Sequence, residues 1–138
     1  MRQFRNIGAA PHGAAGLQPA GKLRFEIQGS GAETRSFCFV DDLVAGVMVM
    51  RDKGEHLGIY HVGTGEEVTI AELARTIAAV IGYAGGFRYD LAKPDGTPRK
   101  LMDVAKLTAL GWRAGTGLAD GIRRTYDWYL ENRAGKAA

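Results

Sequence analysis

Ile59–Gly82 reads IYHVGTGEEVTIAELARTIAAVIG, and the order of physical signals within it decides the fold class. Ile59 to Val62 is a short apolar run rich in β-formers, closed by Gly63 and Gly65, which predicts a well-buried strand. Thr69 and Glu72 then stand at capping-box spacing, with Val68 and Leu73 placed as its hydrophobic staple. A helix starts there. Ile70, Leu73, Ala74, Ile77 and Ile81 share one face of it, and Gly82 sits where a left-handed helix end is wanted. A strand turning into an amphipathic helix is the repeating unit of α/β architecture.

Working outward toward the amino terminus, Thr34 to Val40 alternates Phe37 and Phe39 with Ser36 and Cys38, as a strand would. Asp41 is placed to cap a helix running to about Lys53, with Leu43, Val44, Val47 and Met48 as its apolar face. Before it, Leu23, Phe25 and Ile27 alternate with Arg24, Glu26 and Gln28, and Gly29 to Gly31 break the pattern. Residues 1–22 are rich in Gly and Ala and show neither period, so they read as a loosely ordered arm, with residues 23–138 as one unit.

Toward the carboxyl terminus, Phe87 to Tyr89 reads as strand, and Lys93 to Lys100 as a loop stiffened by Pro94 and Pro98. Asp103 is placed to cap a short helix whose Val104, Leu107 and Leu110 point one way, ended by Gly111 and packed by Trp112. A last helix from about Gly117 to Asn132 carries Leu118, Ile122, Tyr126 and Tyr129 on its core side, and Trp128 reads with Trp112 as a core or helix-packing aromatic. The result is an α/β chain of few strands with flanking helices, whose sheet edges need a cover.

The chain has 138 residues and 46% hydrophobic content, enough for a single core. Its net charge of +3 comes from cations interspersed with acids, apart from Arg99 and Lys100, which argues against a nucleic-acid surface. A single cysteine, Cys38, excludes an internal disulfide and a multi-cysteine metal site, and fits a reducing, cytoplasmic setting. No apolar run is long enough to span a membrane, and no signal-peptide pattern is present. His61 reads as a strand-end polar group and not a metal ligand, because no second ligand stands at a useful spacing.

Two motifs suggest chemistry and fail on detail. Gly63-Thr64-Gly65-Glu66-Glu67-Val68 follows a strand and precedes a helix, as a dinucleotide-binding glycine loop must. Its third glycine is replaced by Val68, however, and Glu66 and Glu67 would repel a pyrophosphate. Tyr89 and Lys93 have the Tyr-x-x-x-Lys spacing of a dehydrogenase catalytic pair, which needs both side chains on one helix face. Lys93 precedes Pro94, which disfavours helix there.

With these set aside, Leu23 to Asn132 resembles one family, the extended short-chain dehydrogenases (NAD-dependent epimerase/dehydratase) that act on nucleotide sugars. Gly29–Asp42, GSGAETRSFCFVDD, resembles the family's Gly-x-Gly, Arg-x-Phe, hydrophobic pair and acid pair opening a helix. Ile59–Ile70 resembles its Tyr-Asn-Val-Gly segment, with His61 where Asn is usual. Lys93–Val104, KPDGTPRKLMDV, is similar to a signature of GDP-L-fucose synthases and their near relatives. Leu107–Trp112 and Tyr126–Tyr129 are similar to the family's final helices.

The resemblance implies the C-terminal, substrate-binding portion of a Rossmann-like fold, and a nucleotide sugar as ligand with GDP favoured. It implies that Arg35 contacts the diphosphate, a task suited to a guanidinium's fixed fork of donors. The plainer alternative is a surface Arg paired with Glu33 or Asp41. Asp95 and Lys100 match positions lining the substrate pocket, with Arg99 supplementing the charge; the plainer alternative is a solvated Asp-Gly turn.

Intact members use NADP or NAD. The glycine-rich βαβ unit, the catalytic Ser or Thr and the helical Tyr-x-x-x-Lys have no match here, so the chain alone is expected to hold no cofactor and supply no catalytic residue. Two functions stay open: the substrate-binding part of an epimerase or reductase, or a non-catalytic remnant or subunit docking on a dinucleotide-binding chain. Self-association is a further partner mode.

Overall fold

A computed structural model of the chain describes residues 25–134. The expected arm at residues 1–22 lies outside them, as does Leu23. In chain order the elements are β1 (Phe25–Gln28), β2 (Thr34–Arg35), α1 (Val40–Lys53), β3 (Val68–Thr69), α2 (Ile70–Ile81), β4 (Phe87–Asp90), β5 (Arg99–Lys100), α3 (Ala105–Ala109) and α4 (Leu118–Ala134). β1 and β4 pair in parallel, with Phe25 opposite Phe87. β2 lies between β3, which is antiparallel to it, and β5, which is parallel. The chain is α/β with few strands and flanking helices, as the pattern implies.

α2 is built as the sequence dictates. The Thr69 hydroxyl accepts from the Glu72 amide at 3.1 Å, and Glu72 accepts in return from the Thr69 amide at 2.9 Å. Gly82 ends the helix in the left-handed region at φ +70°, which a glycine takes without steric cost. The inward face delivers Ile70, Leu73 and Ala74 to a core with Ile27 of β1, and Phe37, Val68, Ile77, Phe87, Leu118 and Ile122 pack around it. Leu107 of α3 is fully buried and Trp112 nearly so.

α1 departs from expectation. Leu43, Val44, Val47 and Met48, read as its core face, are 40 to 55% exposed, and Val40 is 58% exposed. The opposite side packs inward: Gly46 faces Val62 and Trp112, Asp42 accepts from the Thr116 amide at 2.8 Å, and Lys53 reaches the Leu110 carbonyl at 3.4 Å. The reason is steric, because a Cβ at Gly46 would stand 2.8 Å from Val62, so only glycine allows this approach. Asp41 does not cap α1; it pairs with Arg124 of α4 at 2.7 Å, and the same guanidinium lies 4.2 Å from the Phe39 ring.

Three further expectations need correction. Ile59–Val62 belongs to no strand, because among the described residues the strands pair only as β1–β4 and β3–β2–β5 and none pairs with this segment. The strand read over Thr34–Val40 is paired only at Thr34 and Arg35, where β3 and β5 flank it. Trp128, read as a packing aromatic, is 62% exposed. No helix among the described residues is long and apolar enough to cross a membrane.

Candidate functional site

The four residues that the sequence singles out lie around β2, and the structure divides them by task. Arg35 is half-buried, and its Nη1 donates to the carbonyls of Thr34 at 2.6 Å and Thr97 at 2.8 Å. Asp41, one of its two plainer partners, pairs with Arg124 instead. The loop before β5 passes so close that a Cβ at Gly96 would stand 2.9 Å from Arg35 Nη2. Both Nη1 hydrogens are thereby committed to carbonyls, which fixes the fork and leaves the Nε and Nη2 donors for another acceptor.

Lys100 is the register partner of Arg35 across the β2·β5 pair, so both side chains leave the same face of the sheet. It is exposed. Arg99 pairs with Thr34 on the other face, where its Nε reaches both oxygens of Glu67 at 2.9 and 3.0 Å. Glu67 also accepts from the Thr34 hydroxyl at 3.2 Å, and its carboxyl is held below the usual range, chiefly by Arg99. Arg99 is therefore occupied locally by Glu67, while Arg35 and Lys100 stand side by side on the opposite face. β5 also borders a shallow cleft of about 340 Å³ lined by Arg99, Lys100, Leu101, Met102 and Asp103.

Asp95 fastens the loop. Its carboxylate accepts from the Ser30 amide at 2.6 Å and the Ser30 hydroxyl at 2.8 Å, and these bonds hold its pKa below the ordinary aspartate value. Gly29, at φ +78°, brings its Cα against this carboxylate, where a Cβ would clash with Asp95 Oδ1. Ser30 and Glu67 were not singled out from the sequence. The Gly-Ser-Gly turn facing an Asp-Gly turn was the available signal for Ser30, but it needs the 65-residue separation to be closed before it means anything.

The turn after Ile59–Val62 does not fit a dinucleotide. The Ile70 and Ala71 amides donate to the carbonyls of Glu33 and Gly31, and the Glu72 amide to Thr69, so the start of α2 has no free donor for a pyrophosphate. Tyr89 lies on β4 and Lys93 in the turn after it, so the two share no helix face. His61 Nδ1 lies 3.2 Å from the Asp103 carbonyl. Among the described residues no cluster of His, Cys, Asp or Glu is arranged to hold a metal.

No family model matches the chain. Individual proteins do. GDP-L-fucose synthase 1 of Arabidopsis thaliana is 46% identical over 106 residues, covering 77% of this chain and 33% of that protein. The Escherichia coli GDP-L-fucose synthase is 42% identical over 116 residues, which cover 78% of this chain and 36% of the relative. The chain is similar to GDP-L-fucose synthases in sequence and to extended short-chain dehydrogenases in structure, matching a carboxyl-terminal fragment of them. Among solved structures, the GDP-mannoheptose C4 reductase of Campylobacter jejuni with NADP bound superposes with a TM-score of 0.65 at 29% identity, covering 75% of this chain and 34% of that one. The chain spans about a third of the length of the relatives it matches. The fold is the Rossmann-like one that the sequence resemblance implies.

Proposed function

We propose that the chain is the nucleotide-sugar-binding part of an NAD(P)-dependent epimerase or reductase of the GDP-L-fucose synthase kind. The carrying observation is Arg35, whose Nη1 is tied to two carbonyls so that its guanidinium is held in one orientation. A preset guanidinium of this kind suits a diphosphate, since little ordering is left to do on binding. Lys100 flanks it as a second cation. Asp95 and Arg99 act on the ligand through the loop, one pinning its start to Ser30 and the other fixing β5 to Glu67.

The favoured ligand is a GDP-sugar, by analogy with the enzymes most similar in sequence. The redox step of such an enzyme takes NADP or NAD, and the part we assign to this chain is the binding of the sugar nucleotide; the engagement of the Ile70, Ala71 and Glu72 amides at the start of α2 supports that reading. We place it in the cytoplasm, where a lone thiol such as Cys38 stays reduced.

Calorimetric titration with GDP-, UDP- and dTDP-sugars tests the reading. Saturable binding that prefers GDP and weakens about 10- to 100-fold in Arg35→Ala is expected, from ~1.5–3 kcal/mol for charge-assisted bonds. Binding unaltered by Arg35→Ala would contradict it.

A further inference from the structure

β5 consists of two residues, Arg99 and Lys100, and both are cations, so the one that stands beside Arg35 is decided by register. In the observed pairing Lys100 lies opposite Arg35 and Arg99 opposite Thr34. A slip of one residue would bring Arg99 or Leu101 beside Arg35 instead. Register is strongly set where one face of a strand is buried, yet both residues of β5 are exposed. The flanking bonds to carbonyls do not choose either. The Thr34 amide meets the Pro98 carbonyl at 2.9 Å and Arg35 Nη1 meets the Thr97 carbonyl at 2.8 Å, and every residue offers a carbonyl.

A side chain does choose. Glu67 directly precedes β3, which lies on the far side of β2 from β5. Its carboxylate reaches across β2, accepting from the Thr34 hydroxyl at 3.2 Å and from Arg99 Nε with both oxygens, at 2.9 and 3.0 Å. Glu67, Thr34 and Arg99 thus form a row that spans the sheet on one face, while Val68, Arg35 and Lys100 form the row on the other. The acid is the better anchored end, with its side chain 27% exposed against 66% for Arg99. Its preference for Arg99 over Lys100 has a chemical basis, because a guanidinium presents fixed donors to a carboxylate whereas a lysine ammonium is a point charge on a flexible stem.

We infer that Glu67 is a positioning residue for the diphosphate grip: by holding Arg99 on the far face it sets the register of β5 on β2 and delivers Lys100 to the side of Arg35. The inference rests on the diphosphate reading above and names a residue through which that site is built. It also gives a task to an acid that the glycine-turn motif leaves unexplained, since the charge of Glu67 is taken up by Arg99.

Coulomb's law alone predicts the opposite effect. Removing a carboxylate near a diphosphate, and freeing an arginine, should strengthen anion binding. Positioning predicts that the same change weakens it, so the sign of the effect separates the two. The test is calorimetric titration of GDP into the chain and into Glu67→Gln, Arg99→Gln, the double variant and Thr69→Ala. Glu67→Gln is expected to weaken GDP binding about 3- to 5-fold, as loss of one exposed ion pair would shift the register. The double variant should bind no more weakly than Arg99→Gln, because the two side chains act as a unit. Thr69→Ala loosens the start of α2 through Glu72 without touching Arg99 and should leave GDP affinity unchanged, which a merely structural role for Glu67 does not predict. Equal or tighter binding by Glu67→Gln, additive losses in the double variant, or the same weakening in Thr69→Ala would each overturn the inference. With no saturable GDP binding by the unaltered chain, the diphosphate reading falls and takes this inference with it. With binding that Arg35→Ala weakens and Glu67→Gln does not, this inference falls alone.

Discussion

Gly29→Ala strikes the candidate site from behind, and Gly82→Ala is its natural control. Both glycines are left-handed, at φ +78° and +70°, so an alanine at either meets the same backbone penalty of ~1–2 kcal/mol. They differ in what the new methyl meets. At Gly82 nothing lies within 4 Å, while at Gly29 the methyl clashes with Asp95 Oδ1 and stands 3.3 Å from the Asp95 Cα. Asp95 has little room to retreat, because Ser30 grips both its oxygens. Overpacking of that kind adds ~1–3 kcal/mol, so Gly29→Ala is expected to cost ~2–5 kcal/mol in all. Urea unfolding measures the difference as a larger drop in midpoint for Gly29→Ala at a shared slope. Adding Asp95→Ala to Gly29→Ala should recover part of that drop. Equal midpoints for the two single variants would refute the idea that the Gly29 turn and the Asp95 loop are locked together.

Other expectations follow from the same contacts. Thr69→Ala removes the acceptor of the Glu72 amide and should cost about 1 kcal/mol in the same unfolding assay. Leu107→Ala empties a fully buried position and should cost ~2–5 kcal/mol, enough to lower the thermal midpoint by several degrees. Asp42, Glu67 and Asp95 are each held below their ordinary pKa by partners present only in the folded chain: the Thr116 amide, Arg99 and Ser30. Their contribution to stability is complete above the unfolded carboxylate range near ~4 and fades as the pH falls through the lowered values. Unfolding midpoints measured between pH 7 and 2 should therefore fall on the acid side, and less steeply in Asp95→Asn.

Elements whose signals are local were legible in the sequence. The α2 capping box and the Gly82 end need only neighbours a few residues away, and both formed as read. α1 misled because its strongest signal, an apolar stripe, reports that something covers the helix but not what does, and a glycine at position 46 let the other side pack instead. Ile59–Val62 shows the same limit, since β-forming residues announce a strand while its pairing depends on another segment. In the candidate site, residue type and motif single out Arg35 as a proposed diphosphate contact. The division between Lys100 on its face and Arg99 on the other depends on strand register, which a two-residue strand between two short partners does not disclose in its sequence.

The most direct measurement is the side-chain Nε–H resonance of Arg35, followed by nuclear magnetic resonance as GDP is titrated into the intact chain. Arg35 should shift saturably while Arg99, tied to Glu67, stays where it is. A silent Arg35, or a shift confined to Arg99, would mean that the diphosphate is not held by the guanidinium on β2.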